Sequence, residues 1–254
     1  MADAKVTALP EVTIVAVGDM IPLIDDPAGT PVPSRIKIEN LHKLPAGTAT
    51  IPPLKFTAGT NLTTAEAGVI EMDANAFYGT TDAGNRGYIP VRHFIRADAT
   101  RTFTSNITSQ AIFTTPANGR LTLETGTYFF SGVLNIGSMS ATSGNLLFSV
   151  LGAGTATLGS LLFHVIGVDG ANATAATQTG STAVTSATPA SALSAGVGTA
   201  ATLNITGTFE VTGAGTIIPS ITMVTASASV LAIGSFLSFE RIGSTTVTSV
   251  GQWD

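Results

Sequence analysis

From about Ala99 onward, short runs of β-branched and aromatic residues are separated by Gly, Pro and Asn, and no 3.6-residue apolar period develops. Ala111-Ile112-Phe113 leads to Pro116-Ala117-Asn118-Gly119, a turn, and then to residues 120–123. Gly126 introduces residues 127–136, Gly144 precedes 145–151, and 158–168 is long and rich in β-branched and aromatic side chains. Residues 201–212, 216–224 and 235–242 complete the series. Strands spaced by Gly-rich turns predict an all-β fold, with an antiparallel sandwich or jelly roll over 99–254. Residues 171–200 are a low-complexity Thr, Ala, Ser and Gly tract, read as a loop or two weak strands. Their length predicts exposed loops, where Asn172 and Gln178 are candidates for contact with a glycan.

Upstream, two further segments are expected. In residues 1–48, Val12 to Val17 is a β-branched run and 20–24 a second apolar run. Asp25-Asp26-Pro27-Ala28-Gly29-Thr30-Pro31 carries turn chemistry, and 34–38 alternates as a strand. A single helical turn is expected over 39–44, stopped by Pro45. No self-sufficient core is visible there, so this segment is expected to pack on a partner. Residues 49–98 form a connecting β region: Val69-Ile70-Glu71-Met72 and Ala76-Phe77-Tyr78-Gly79 flank Asp73-Ala74-Asn75 as a hairpin. A loop at 82–85 and the run Gly87-Tyr88-Ile89-Pro90-Val91 follow.

Charge changes the picture most. Residues 121–254 contain six charged side chains, Glu124, Asp169, Glu210, Glu240, Arg241 and Asp254, whereas an ordinary domain is about a quarter charged. So neutral a surface stays in solution through hydroxyls and amides or is covered by other subunits. The net charge of −5 is mild and no basic run exists, which argues against nucleic-acid binding. With no Cys, disulfides and thiolate metal sites are excluded. The opening Met-Ala-Asp-Ala-Lys-Val has no apolar signal region, and Ser and Asn interrupt the charge-free stretches too often for a membrane span, so a soluble chain is expected.

Three stretches bear a resemblance. Ile21-Pro22-Leu23-Ile24-Asp25-Asp26-Pro27-Ala28-Gly29-Thr30 with Arg35-Ile36-Lys37-Ile38-Glu39-Asn40-Leu41 resembles the virion-proximal segment of tailed-phage fibre and baseplate-associated proteins. Leu62-Thr63-Thr64-Ala65-Glu66-Ala67-Gly68-Val69-Ile70-Glu71-Met72-Asp73 with Ala76-Phe77-Tyr78-Gly79-Thr80 looks like the segment before their distal domain. Gly126-Thr127-Tyr128-Phe129-Phe130, Ser138-Met139-Ser140-Ala141-Thr142-Ser143-Gly144-Asn145 and Phe236-Leu237-Ser238-Phe239-Glu240-Arg241-Ile242-Gly243 are similar to C1q/TNF-like jelly rolls of phage structural proteins. The resemblance implies a homotrimer in an extracellular virion, made in a bacterial cytoplasm. It implies a short trimeric tail fibre with a host-adhesion role. The alternatives are a capsid decoration or cement protein, a head or neck fibre, and a polysaccharide depolymerase.

Candidate chemistry is sparse. His42, His93 and His164 have no ligand spacing, so structural roles are expected, with a pH-sensitive trimer contact at His164 as the alternative. Asp25-Asp26 with Asp19 lacks EF-hand spacing and reads as a turn doublet. A depolymerase needs two carboxylates across a cleft, and Glu124, Asp169, Glu210, Glu240 and Asp254 are isolated in sequence. Gly152-Ala153-Gly154-Thr155-Ala156-Thr157-Leu158-Gly159 and Gly196-Val197-Gly198-Thr199 lack the Lys-Ser/Thr ending of a phosphate loop and read as turns. Asn61, Asn106, Asn172 and Asn204 each open an Asn-x-Thr triplet expected by chance, and Trp253 is placed at a trimer edge or a recognition surface. The expectation is therefore a non-enzymatic protein with no catalytic, cofactor-binding or metal-binding residues and no cofactor. Its expected partners are itself, other virion proteins through the N-terminal segment, and a host cell-surface glycan.

Overall fold

The computed structural model describes residues 20–25, 32–37, 46–82, 84–115, 117–140, 146–150, 153–169, 178–184, 192–193, 199–225, 228–246 and 249–250. Two compact units divide the chain, residues 1–57 and 58–254. In the first, β1 (Met20–Asp25) and β2 (Val32–Lys37) pair antiparallel, with Ile21 opposite Ile36. These match the apolar run and the alternating segment; the Val12–Val17 run, the 26–31 turn and the 39–44 helical turn lie outside the described residues.

The second unit opens with β3 (Ile70–Met72), β4 (Phe77–Thr80), β5 (Arg86–Ile89), β6 (Arg92–Arg96), β7 (Arg101–Phe103), β8 (Gln110–Ala111) and β9 (Leu121–Leu123). It continues with β10 (Gly126–Gly137), β11 (Leu146–Ser149), β12 (Thr157–Asp169), β13 (Gln178–Val184) and β14 (Ala192–Leu193). It closes with β15 (Ala201–Gly213), β16 (Gly215–Ile217), β17 (Ser220–Met223), β18 (Ser229–Leu231) and β19 (Phe236–Gly243). The described residues contain no α-helix, and every strand pair is antiparallel.

Eight of these strands pair as a nested hairpin, first with last: β6 with β19, β8 with β17, β10 with β15 and β11 with β14. Rolling closes it, since β19 also pairs β10 and β17 also pairs β11. The result is two sheets, β6-β19-β10-β15 and β8-β17-β11-β14, in the order of a jelly roll. The large sheet is extended by the β12–β13 hairpin beside β15 and by β18 and β7 beyond the end of β19. Its first strand, β6, begins within the interval 49–98 expected for the connector.

Between the sheets, one row across the large sheet reads Phe163, Gly207, Phe130, Phe239. Gly207 leaves a gap in that row, and the rings of Phe130 and Phe163 close over it at 6.5 Å. A Cβ on Gly207 would collide with Leu162 O and Phe163 Cβ. Phe148 of the second sheet caps both rings at 6.2 and 5.5 Å. Strand β10 alternates buried and half-buried residues along nearly its whole length, the period expected of a strand with one face in the core.

Several sequence expectations need correction at the level of single elements. Residues 216–224 are not one strand: the chain breaks at Ile218-Pro219, because Pro219 has no N–H for a ladder, and β16 and β17 join different sheets. Gly159 is not in a turn but inside β12, where the register slips between Leu158 and Leu161. A Cβ on Gly159 would meet the Glu210 carboxylate and the Thr212 methyl, so a larger residue at the bulge would push those side chains aside. The low-complexity tract contributes β13 and β14, each paired on one side only, so the weak-strand reading describes its visible part. Residues 170–177, 185–191 and 194–198 lie outside the described residues.

The hairpin over 69–79 forms as expected, with Ile70 opposite Gly79 and Met72 opposite Phe77. Asp73 organises its loop: Oδ1 accepts from the amides of Asn75 and Ala76 (2.7 and 2.9 Å), and Oδ2 accepts from Tyr78 Oη (3.0 Å) and Asn61 Nδ2 (3.3 Å). Arg241, at the end of β19, donates to the carbonyls of Ala74, Asn75 and Thr125 and to Asn75 Oδ1, which fastens the loop to the sandwich. A Cβ on Gly126 would stand 2.5 Å from Arg241 Nε, so this fastening needs glycine at the start of β10. Burial alone would raise the Asp73 pKa, but the Asn75 and Ala76 amides, the Tyr78 hydroxyl and the Arg241 charge outweigh it and hold the carboxyl below its ordinary range. A depressed folded pKa gives stability that is full above the unfolded value and is lost as pH falls through the folded value. Protection factors of the Asn75 and Ala76 amides should therefore drop in acid below about pH 4. An Asp73→Asn variant should show reduced protection already at neutral pH.

Candidate assembly face

The outer face of the large sheet is built by the side chains that alternate with the core. Three rows cross β6, β19, β10, β15 and β12. They read Arg92, Glu240, Phe129, Thr208, Leu162; then Phe94, Ser238, Ser131, Thr206, His164; then Arg96, Phe236, Val133, Asn204, Ile166. An antiparallel sheet facing water normally carries polar residues on that side. Here Phe94 is 61% exposed, Leu162 53% and Ile166 36%, and the Phe94 and Phe236 rings meet at 5.5 Å. Phe129, Val133 and Phe236 are half-buried among them.

The polar members of the rows satisfy one another at short range. Ser131 and Ser238 hydroxyls meet at 3.3 Å, and Asn135, one row on, donates to Thr202 Oγ1 at 2.9 Å. Arg92 pairs with Glu240 through Nη2 at 3.0 Å and Nε at 3.2 Å, while Arg96 stands exposed two rows on. A depression of about 270 Å³ lies near the centre, lined by Ser131, Val133, His164, Ile166, Asn204 and Phe236.

His164 is half-buried on this face, between Thr206 and Ser181 in register, while Leu161, Phe163 and Val165 point into the core. His93 lies on β6 and is exposed. His42 lies outside the described residues, as do Asp19, Asp26, Gly152, Asn172, Gly196, Gly198, Trp253 and Asp254. Asp25 ends β1, and Asp169 ends β12. Glu240 is bound by Arg92, Glu210 packs over Gly159, and Glu124 lies in the turn between β9 and β10, where its carbonyl accepts from the buried Tyr128 hydroxyl at 2.8 Å. Glu240 and Glu210 are carried by strands on opposite sides of β10. Asn204 is on the outer face, Asn61 is bound to Asp73, and Asn106 is exposed in the loop after β7. Among the described residues, no three His, Asp or Glu side chains gather as a metal site. No helix of the described residues is long and apolar enough to cross a membrane.

The apolar side chains of the outer face are absent from the sequence expectations above, although the sequence carries a signal for them. In Leu161-Leu162-Phe163-His164-Val165-Ile166, and in Tyr128-Phe129-Phe130, apolar residues are consecutive, which marks strands covered on both faces.

No protein-family model matches this chain, and no curated protein matches it. Among solved structures, a chain in "Structure of infectious bursal disease virus Gt strain" gives a likeness at 14% identity and a TM-score of 0.10. The match covers 86% of this chain and 62% of that one, and at this score it carries no argument.

Proposed function

We propose that the protein is a non-enzymatic structural protein of a tailed-phage virion, working as a short homotrimeric fibre with an adhesive role. The observation that supports this most is the apolar outer face of the large sheet. With about 3.4 Å per residue and 4.8 Å between strands, the three rows across β6, β19, β10, β15 and β12 cover on the order of 500 Å². That is more than half of the roughly 800 Å² per partner of a stable interface, and the flanking polar rows would form its rim. A second copy is the occupant this face suits, because Phe94, Phe236, Val133, Leu162 and Ile166 offer apolar contact area at its middle while Arg92 and Glu240 are already paired at one edge. The resemblance of residues 21–41 to virion-proximal segments supports attachment through the first unit. Ile51 (68% exposed) and Leu54 lie open on a stretch with no strand.

Light scattering on the full chain tests the reading. The expected particle contains three copies of the 25.7 kDa chain. A folded monomer at micromolar concentration would remove it. Deleting residues 1–48 should keep the trimer and abolish incorporation into particles.

A further inference from the structure

Beside the β6 edge of the assembly face, where Phe94 belongs to both, β6 and β9 border two cavities of about 270 and 200 Å³. His93 lines both, and consecutive residues Leu121, Thr122 and Leu123 run from one to the other, so the two adjoin as a groove with His93 as their shared wall. Together they reach the size of a small-ligand site, roughly 300 to 1,000 Å³.

The walls sort into spent and free groups. Arg241 borders the larger cavity, but its guanidinium already donates to the Ala74, Asn75 and Thr125 carbonyls and to Asn75 Oδ1. Asp73 accepts four hydrogen bonds. Among the described residues, the side chains of Glu124, His93 and Arg120 make no hydrogen bond, and all three are exposed along the groove. Between them runs an apolar strip that includes Ile89, Val91 and Leu121.

A carboxylate only accepts, a guanidinium only donates, and an imidazole can do either. One negative and one positive group beside an apolar strip suit a neutral ligand whose one face carries hydroxyls and whose other face carries C–H. Each hydroxyl both donates and accepts, so the same molecule satisfies both charged ends. We infer that this groove binds a neutral oligosaccharide, with a sugar ring in each cavity and His93 at the junction. The biological meaning of such binding rests on the adhesive part of the proposed function; the binding itself does not.

The chain has three histidines, so full-length protein with ¹³C-labelled histidine gives three ring signals, and a His93→Gln variant assigns one of them. The probes are maltotriose, cellotriose and tri-N-acetylchitotriose. At least one should move the His93 signal saturably, with a Kd between roughly 0.1 and 10 mM, and leave the His164 signal in place. Glu124→Gln and Arg120→Ala, both exposed positions, should each weaken that binding about five-fold or more, roughly 1 kcal/mol. Absence of any His93 shift up to about 20 mM of all three sugars would overturn the inference. So would a shift unchanged in the combined Glu124→Gln and Arg120→Ala variant. An intact trimer without sugar binding would remove the groove and leave the assembly reading; a monomer that binds sugar would do the reverse.

Discussion

Replacing Phe130 with alanine is expected to remove about 3 to 5 kcal/mol of folding stability, the largest effect of any single truncation in this chain. Phe130 is fully buried at the centre of β10, and its ring meets those of Phe148, Phe163, Phe209 and Phe239 at 5.8 to 6.5 Å. Four aromatic neighbours from two sheets cannot collapse together into the space left behind, because each is held by its own strand ladder. The cost should thus lie well above the transfer energy of the lost atoms. Phe130→Leu, which keeps most of the volume, should cost about half as much or less. Denaturant unfolding of both variants, at a fixed protein concentration because assembly contributes, reads the difference. Equal and small losses in the two variants would mean that the cluster is not the centre of the core.

Much of this fold was legible because the strands state their period locally. β10, β15 and β19 start and stop within a residue or two of the positions read from glycine punctuation and alternating side chains. The 69–79 hairpin was legible for the same reason, since Asp73-Ala74-Asn75 carries its own turn chemistry. What was not legible depended on partners distant in sequence. That Pro219 divides a strand between two sheets follows from what β16 and β17 find to pair with, β9 on one side and β11 on the other. Gly159 reads as a turn residue until Glu210 is known to lie across it.

The same distance effect governed the sites. Arg241 looked like an isolated charge, yet it ties loop 73–75 to the start of β10 across more than 110 residues of chain. His93 and Glu124 each looked alone in sequence, and the pairing of β19 with both β6 and β10 brings them to one groove. The apolar patch of Phe94, Phe236 and Val133, from two adjacent rows, draws on three separate regions, so no local window displays it.

Placing one charge on the outer face is expected to dissociate the assembly without unfolding the chain. Val133 lies half-buried between Phe236 and Asn204, where a side chain can turn outward in the isolated protein but not when a second copy covers it. Val133→Glu would put three carboxylates into a symmetric trimer, each losing its water with no cation in the row nearer than Arg96, two strands away. Burying an unpaired ion costs several kcal/mol even after relaxation, and the cost is multiplied by the symmetry. Light scattering should show a single folded chain at micromolar concentration, with the β-sheet circular dichroism unchanged. Asn106→Glu, an exposed change on the loop after β7 and off this face, should keep the mass of the parent protein. If Val133→Glu retains the parent's oligomeric mass, the copies meet through another surface, and the apolar rows must be covered by a different molecule.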